Sequence, residues 1–211
     1  MENKLTLLYA TNNNSKVYNM RRRLEKIPIE IITPKELGIK VNVIEDGKTA
    51  VENAIKKAQA YYEETKIPTI AGDSGLFIDG IPSDKQPGLF VRRVNGKVLS
   101  DDEMIDYYTK LIESIGGKST GYYVTGLALI TKQGLFTTEI SEDKFILSST
   151  ISNNNHRGNP LDVMTIDPVS QKFYTDMTDE DFKSLGHVFD RECVKFLEKN
   201  LLDNSKKLQK I

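Results

Sequence analysis

The fold is decided early in the chain, by the stretch Leu5-Thr6-Leu7-Leu8-Tyr9-Ala10-Thr11-Asn12-Asn13-Asn14-Ser15-Lys16. Its first half is apolar, which predicts a buried β-strand over residues 4–10. Its second half is a polar turn rich in asparagine. Apolar side chains then recur at helical spacing, which predicts a helix over residues 15–26. The chain therefore opens as a strand, a polar turn and a helix.

The remainder of the chain alternates between helical and strand patterns. Further helices are predicted at residues 47–64, 101–115 and 185–201. Predicted strands cover residues 76–79, 122–131, 135–147 and 163–166, with a hairpin turn at 132–134. The Gly72-Asp73-Ser74-Gly75 segment is interpreted as a tight polar turn between two apolar runs. This pattern predicts an α/β protein with a mixed β-sheet.

Composition limits the possible classes of protein. The 211 residues are 38% hydrophobic and 28% charged, which is typical of one globular domain; we assign it to residues 1–203, with a polar tail at 204–211. The net charge of −1 argues against a dedicated nucleic-acid binder, which usually carries a basic excess. The Arg21-Arg22-Arg23 run is therefore interpreted as a solvated helix face.

Cysteine and histidine are too scarce for several kinds of site. The single cysteine, Cys193, cannot form an internal disulfide or a cysteine-rich zinc site, and is expected in the core. Only His156 and His187 are available for a histidine-based metal cluster. The apolar stretch near the N-terminus is too short for a membrane span and lacks a signal-peptide cleavage pattern. We therefore expect a cytoplasmic protein that does not enter a membrane.

Three polar segments could carry chemistry, and each has a structural alternative. The Thr11–Lys16 turn precedes a helix, whose N-terminus binds anions well, although Ser, Thr and Asn also cap helices routinely. Asn53 and Lys57 share a helix face beside Glu52, but Glu52 could simply pair with Lys56. Asp73 with a glutamate would supply the oxygen ligands that Mg²⁺ prefers, yet Asp and Gly are also common in plain turns.

Taken together, four ordered segments resemble the inosine triphosphate pyrophosphatase family, enzymes that remove deaminated purine nucleotides. The resemblance covers roughly residues 5–131. The matching strings are Ala10-Thr11-Asn12-Asn13-Asn14-Ser15-Lys16, Thr49-Ala50-Val51-Glu52-Asn53-Ala54-Ile55-Lys56-Lys57-Ala58, Ala71-Gly72-Asp73-Ser74-Gly75-Leu76 and Pro87-Gly88-Leu89-Phe90-Val91-Arg92-Arg93.

The resemblance implies a mixed, twisted sheet flanked by helices, two lobes with a cleft between them, and a homodimer. It implies Mg²⁺-dependent hydrolysis of a nucleoside triphosphate to the monophosphate and pyrophosphate. Glu52 and Asp73 would hold the metal, Asp73 would also activate water, and Lys16 would assist catalysis. The other residues expected to contact substrate are Thr11, Asn12, Asn13, Asn14, Ser15, Asn53, Lys57, Ser74, Gly75, Arg93, Asp162 and His187.

The segments that recognise the base in this family are poorly matched. Gly158-Asn159-Pro160-Leu161-Asp162-Val163 keeps only the family's glycine and aspartate, and Asn159 stands where a phenylalanine stacks on the base. Phe182 and Val188 replace a lysine and an arginine, and Gly72 replaces the first of two aspartates. His156 and Arg157 either supply base contacts from another direction or are exposed loop residues. His187 either faces the cleft or only opens the last helix.

The phosphate and metal segments match the family and the base-recognition segments do not, which leaves two functions from different classes. The first is a nucleoside triphosphate pyrophosphatase that acts on a deaminated purine such as ITP or XTP, or whose base preference has changed, even to a pyrimidine or modified nucleotide. The alternative is a nucleotide-binding protein of the same fold that has lost turnover. Retention of Glu52, Lys57 and Asp73 together favours the enzyme.

Overall fold

Strand β1 (Leu5–Tyr9) and helix α1 (Asn14–Arg23) form the predicted opening of the chain. The structure is a computed structural model that describes residues 4–155 and 158–202. The other helices in these residues are α2 (Ala50–Thr65), α3 (Asp101–Ser114), α4 (Asp179–Leu185) and α5 (Val188–Leu197). Short 3₁₀ helices cover Ser83–Lys85, Pro160–Val163 and Tyr174–Asp176, and a π-helical turn covers Glu198–Leu202.

The sheet is mixed, which confirms the predicted α/β class. Its strands are ordered β2-β1-β3-β6-β8-β9, with β7 paired to β6, and β4 and β5 form a separate hairpin. Strand β1 is parallel to β2 and β3, whereas β8 is antiparallel to both β6 and β9. The strands other than β1 are β2 (Ile29–Ile32), β3 (Thr69–Ile78), β4 (Arg93–Val94), β5 (Lys97–Val98), β6 (Lys118–Thr131), β7 (Gly134–Ser141), β8 (Phe145–Ser148) and β9 (Thr165–Ile166).

The chain divides into two compact units, in line with the expected two lobes. The first unit holds the residues up to 73, residues 125–140 and those from 188 onward. One face of its sheet packs against α1 and α5 around Leu7 and Leu127, and the buried Cys193 lies in this core as predicted. The opposite face packs against α2 through small residues, including Ala54 and Ala71. Helix α2 can therefore lie close to the strands.

The second unit holds residues 74–124 and 141–187 and has a core of its own. Helix α3 contributes Met104, Tyr108 and Ile112 to this core, where they pack with Leu76 and Ile78 of β3. A capping box at Ser100 and Glu103 begins α3. The helix ends before Gly116 and Gly117, as predicted, and both glycines have positive φ.

Three predicted elements are wrong in their details. Residues 72–75 are not a turn, because β3 runs through them without a break from Thr69 to Ile78. The predicted strand 135–147 is two strands, β7 and β8, separated by the charged residues 142–144. The predicted last helix, 185–201, begins later, as α5 at Val188, and continues through the π-helical turn to Leu202, because Leu185 instead ends α4 before the left-handed Gly186 at φ 57°. The predicted tail, 204–211, lies outside the described residues.

The Arg21-Arg22-Arg23 run was wrongly interpreted as a solvated face. The side chains of Arg22 and Arg23 are only 13% and 16% exposed, and both form ion pairs with Asp190 of α5. The guanidinium of Arg23 also lies 4.6 Å from the centre of the Phe189 ring. Arg21 alone matches the prediction, because its side chain is 47% exposed and pairs with Glu36. The run therefore holds α1 against α5.

Gly126 of β6 fixes the approach of α2 to the sheet, and its replacement by alanine is expected to destabilise the fold. A Cβ atom at Gly126 would lie 2.3 Å from the Val51 backbone nitrogen, so the helix would have to move. We expect Gly126→Ala to cost about 1–3 kcal/mol of unfolding free energy, measured by urea denaturation. Gly72→Ala is the matched control with a smaller effect, because the nearest atom to its Cβ would be the end of the Leu127 side chain, at 3.0 Å, and the Gly126 carbonyl oxygen would be at an ordinary contact distance of 3.6 Å. Equal stability of Gly126→Ala and wild type would contradict this packing.

Candidate active site

The turn after β1 is organised by Asn13. The Asn13 Oδ1 atom accepts hydrogen bonds from the backbone N–H groups of Ser15 at 2.9 Å and Lys16 at 3.2 Å. The Thr11 Oγ1 atom accepts from the Asn13 backbone N–H at 3.2 Å. Asn13 is thus the N-cap of α1, as in the structural alternative considered for this turn. The predicted phosphate contacts of residues 11–16 stay predictions; the side-chain amide of Asn13 and the hydroxyl of Thr11 both retain protons to donate.

Strand register places this turn beside Asp73. Tyr9 of β1 pairs in parallel with Ile70 of β3, and the Ala10 N–H donates to the Ile70 carbonyl at 2.9 Å. Two residues beyond this pair, Thr11 follows the end of β1, while Gly72 continues β3. Because the two strands run parallel in this register, the Thr11–Lys16 turn lies beside the middle of β3, and the turn and Asp73 are neighbours in the first unit. Sequence order alone separates them by more than fifty residues.

Glu52 takes part in capping α2. Its backbone N–H donates to the Thr49 hydroxyl at 3.1 Å, and its Oε2 accepts from the Lys48 backbone N–H at 2.6 Å. The Thr49 side chain thus caps the helix, while the Glu52 carboxylate satisfies the N–H of the residue before the cap. Lys56, which could have paired with Glu52, instead forms an ion pair with Asp46. Glu52 is exposed, and its predicted role as a metal ligand stays a prediction.

Asn53 and Asp73 are brought into direct contact. Asn53 is only 3% exposed, and its Nδ2 donates to the Asp73 Oδ2 at 2.8 Å. Its Oδ1 accepts from the Gly47 backbone N–H at 2.8 Å. The Asp73 carboxylate is therefore oriented by an amide at one oxygen and keeps its second oxygen, Oδ1, for a ligand. A partly buried carboxylate held in this way is suited to binding a cation or to orienting water.

Lys57 lies one turn after Asn53 on the same face of α2, and it contacts a residue that the sequence analysis missed. Its Nζ is 2.8 Å from the Glu45 Oε2, in a pair whose side chains are 15% and 30% exposed. The Glu45 carboxylate therefore lies against the same face of α2 as Asn53, the residue that contacts Asp73. The available signal was the acidic pair Glu45-Asp46 ahead of Gly47 and the Thr49 cap, a pattern that we did not interpret.

The donor set suits a magnesium ion that is bound together with its substrate. Among residues 4–155 and 158–202, no group of three or more His, Cys, Asp or Glu side chains forms a metal cage. Mg²⁺ usually takes one or two carboxylates and completes its octahedral shell with water and substrate phosphates. Asp73 with one glutamate, either Glu45 or Glu52, fits this requirement.

The predicted site residues that follow Asp73 in the sequence lie in the second unit. Leu76 of β3 exchanges two backbone hydrogen bonds of 2.9 Å with Gly88. The Pro87-Gly88 segment therefore lies alongside β3, next to the part of the strand that follows Ser74 and Gly75. A Cβ at Gly75 would be 3.2 Å from the Gly88 carbonyl carbon, which explains the need for glycine at this position. Arg93 follows in β4 and is exposed, with its guanidinium 5.9 Å from the Phe90 ring.

Asp162 belongs to a polar cluster within the second unit. The Asn159 Nδ2 donates to the Asp162 Oδ1 at 2.7 Å, and Asn159 also hydrogen bonds to the Tyr123 hydroxyl. Burial raises the pKa of Asp162 to about 7, although the Asn159 hydrogen bond opposes this shift. Asn159 therefore makes polar contacts at the position where the family resemblance implies a phenylalanine that stacks on the base.

His187 lies at one end of a row of aromatic rings in the second unit. Its ring centre is 6.3 Å from that of Phe182, which meets Tyr174 edge-on at 5.5 Å. Its Nδ1 is 3.4 Å from the Asp143 Oδ2. Phe182, in the place of the family's lysine, is thus a packing residue of this row. His156 and Arg157, the possible substitutes for base contacts, lie outside the described residues.

These features define a class of protein: an α/β fold in which the capped N-terminus of α1 follows β1 and lies beside an oriented carboxylate on the neighbouring parallel strand β3. Residues 7–187 match the family model described as the Ham1 family. The chain belongs to the Ham1 family. The resemblance drawn from the four ordered motifs is therefore confirmed, and it places the chain in a family of nucleoside triphosphate hydrolases.

Known relatives cover nearly the whole chain. A dITP/XTP pyrophosphatase of Leptospira interrogans is 30% identical over 192 residues, which are 87% of this chain and 91% of the relative. A dITP/XTP pyrophosphatase of Thermoanaerobacter pseudethanolicus is 27% identical over 184 residues, covering 87% and 90% of the two chains.

Solved structures show the same fold. A HAM1 protein from Coxiella burnetii superposes with a TM-score of 0.66 at 25% identity, covering 85% of this chain and 90% of the other. A nucleoside-triphosphatase / dITP/XTP pyrophosphatase from Mycobacterium abscessus gives a TM-score of 0.64 at 21% identity, covering 92% and 99%. Within the described part of the chain, none of the helices combines the length and apolar character needed to cross a membrane.

Proposed function

We propose that this protein hydrolyses a nucleoside triphosphate to the monophosphate and pyrophosphate with the help of Mg²⁺. The observation that carries the proposal is the Asn53–Asp73 hydrogen bond of 2.8 Å, which presents an oriented carboxylate beside the Thr11–Lys16 turn. Membership of the Ham1 family and the dITP/XTP pyrophosphatase relatives support the same reaction.

The chain's own residues supply the groups that this reaction needs. Asp73 orients and deprotonates the attacking water, and the phosphates are held by Lys16, Lys57 and the donors of the Thr11–Ser15 turn. The Lys57 ammonium pairs with Glu45 in this structure. It is able to exchange this carboxylate for a substrate phosphate, because both groups are anionic. Asp73 with Glu45 or Glu52 would hold Mg²⁺, which supplies neutralisation of phosphate charge.

The proposed substrate is a deaminated purine nucleotide such as ITP or XTP, with a relaxed or altered preference for the base. The dITP/XTP pyrophosphatase relatives support the purine class. Three positions support the altered preference for the base. Asn159 hydrogen bonds to Asp162, Phe182 packs in the aromatic row, and Val188 stands at the start of α5. Buried hydrogen-bonding groups discriminate strongly between bases. Phe182 and Val188 replace the lysine and arginine that the family resemblance implies, and this replacement relaxes the discrimination between bases.

A panel of nucleotides tests this function. The wild-type protein is incubated with ITP, dITP, XTP, GTP, ATP, CTP and UTP plus Mg²⁺, and pyrophosphate release gives kcat/KM for each. We expect turnover of the deaminated purines, with a smaller advantage over GTP than in the Leptospira relative, assayed in parallel. Absence of pyrophosphate from every nucleotide would exclude the enzyme. Tight nucleotide binding by calorimetry without turnover would then support the alternative, a nucleotide-binding protein of the same fold.

The proposal includes a cytoplasmic homodimer that binds neither nucleic acid nor membranes. The near-neutral net charge of −1 supports the lack of nucleic-acid binding, since phosphate neutralisation would need a basic excess.

A further inference from the structure

Asn53, on the first turn of α2, differs from the other predicted phosphate contacts because both ends of its amide are already engaged. Its Oδ1 accepts from the Gly47 N–H and its Nδ2 donates to Asp73, each at 2.8 Å. An N–H group must face an acceptor and a carboxylate must face a donor, so only one orientation of the amide satisfies both. With 3% of its surface exposed, Asn53 is buried between its two partners.

Asn53 also belongs to a series of contacts that ties the loop before α2 to the helix. Four consecutive loop residues each contact the helix. The pairs are Glu45 with Lys57, Asp46 with Lys56, Gly47 with Asn53, and Lys48 with Glu52. The side chain of Asn53 extends this series to β3, because it also reaches Asp73. A Cβ at Gly47 would lie 2.7 Å from the Asn53 Oδ1, so glycine is required for this contact.

We propose that Asn53 is a positioning residue that fixes the Asp73 carboxylate relative to the loop carrying Glu45, and that it does not bind phosphate. This inference deepens the proposed function and rests on it. The geometry is that of an outer partner that orients a ligand of a metal or water, a role whose loss costs about 10- to 100-fold in metal affinity or activity. A phosphate ligand would need a donor directed at the substrate, whereas Asn53 is only 3% exposed, so its second Nδ2 proton is held inside the protein.

The test uses Asn53→Ala, Asn53→Asp and Gly47→Ala in the full-length protein. Asn53→Asp keeps an acceptor for Gly47 but sets a carboxylate against Asp73, whereas Gly47→Ala disturbs Asn53 without changing it. We expect all three to lower kcat by about 10- to 100-fold with KM for the nucleotide nearly unchanged. Binding of Mn²⁺ alone to the nucleotide-free protein, followed by electron paramagnetic resonance, should weaken by a similar factor. Asn42→Asp, at an exposed position in the same loop, is the matched control and should leave both values unchanged.

Several results would overturn the inference. A rise in KM with unchanged kcat in Asn53→Ala would make Asn53 a phosphate ligand. Mn²⁺ binding equal to that of wild type in all three variants, or its absence in the wild-type protein, would remove the positioning role. If Asn53→Ala fails to fold by circular dichroism, Gly47→Ala and Asn53→Asp carry the comparison. A wild-type protein that binds Mn²⁺ without releasing pyrophosphate would refute the proposed function while leaving the metal-binding comparison intact.

Discussion

Asp73→Asn is expected to lower kcat for pyrophosphate release by about 10²- to 10⁴-fold, because it removes the group that activates water. The substitution keeps the size of the side chain and an oxygen that can accept from Asn53, so the local fold should persist. The measurement is steady-state kinetics on the best substrate of the panel, with thermal unfolding monitored in parallel. Asp84→Asn, at an exposed position in the 3₁₀ helix Ser83–Lys85, is the matched control and should behave as wild type. Full activity of Asp73→Asn would remove Asp73 from the chemistry.

Glu45→Gln and Glu52→Gln are expected to separate the two candidate metal ligands. Glu45 lies on the face of α2 that meets Asp73, whereas the Glu52 carboxylate accepts from the Lys48 N–H in the helix cap. We therefore expect Glu45→Gln to lower activity by about 10- to 100-fold and to raise the Mg²⁺ concentration that gives half-maximal rate. Glu52→Gln should retain most activity and nearly all stability, because the glutamine Oε1 can still accept from the Lys48 N–H.

The Mg²⁺ dependence of the two variants distinguishes the roles of Glu45 and Glu52. Glu64→Gln, exposed near the end of α2, controls for the loss of one negative charge on that helix. If Glu52→Gln, and not Glu45→Gln, changes the Mg²⁺ dependence, the ligand pair Glu52 and Asp73 predicted from the sequence is correct. If Glu45→Gln changes only KM for the nucleotide, its main role is to hold Lys57, with which it pairs at 2.8 Å.

Local patterns in the sequence predicted the elements whose formation depends on neighbouring residues. The β1–turn–α1 opening and the end of α3 before Gly116-Gly117 were confirmed, because apolar periodicity and capping residues act over a few positions. The turn predicted at residues 72–75 was wrong because strand pairing outweighed local turn preference. Gly72 and Gly75 instead allow Leu127 and Gly88 to pack closely against β3.

Long-range partners account for what the sequence could not predict. Nothing near Arg22 and Arg23 indicates Asp190, which contacts them from more than 160 positions away, so the run resembled an exposed face. The contact between Asn53 and Asp73 joins residues 20 positions apart on different elements, and its burial is invisible in the sequence. Glu45 was missed because its partner Lys57 lies two helical turns beyond the Thr49 cap.

The two units differ in how closely they follow the family. In the first unit two motif residues, Asn53 and Asp73, are in direct contact through a hydrogen bond of 2.8 Å. In the second unit, Asn159 and Phe182 make inward polar and aromatic contacts of their own. Substitutions toward the family pattern in the second unit should therefore change the choice of base more than the rate of phosphate chemistry.

Hydrolysis between the α- and β-phosphates at Asp73 is best tested by identifying the products. XTP is incubated with the wild-type protein and Mg²⁺, and the products are followed by ³¹P nuclear magnetic resonance, with Asp73→Asn in parallel. We expect equal amounts of XMP and pyrophosphate from the wild-type protein and a nearly unchanged substrate with the variant. Formation of XDP and free phosphate, or equal product from both proteins, would contradict it.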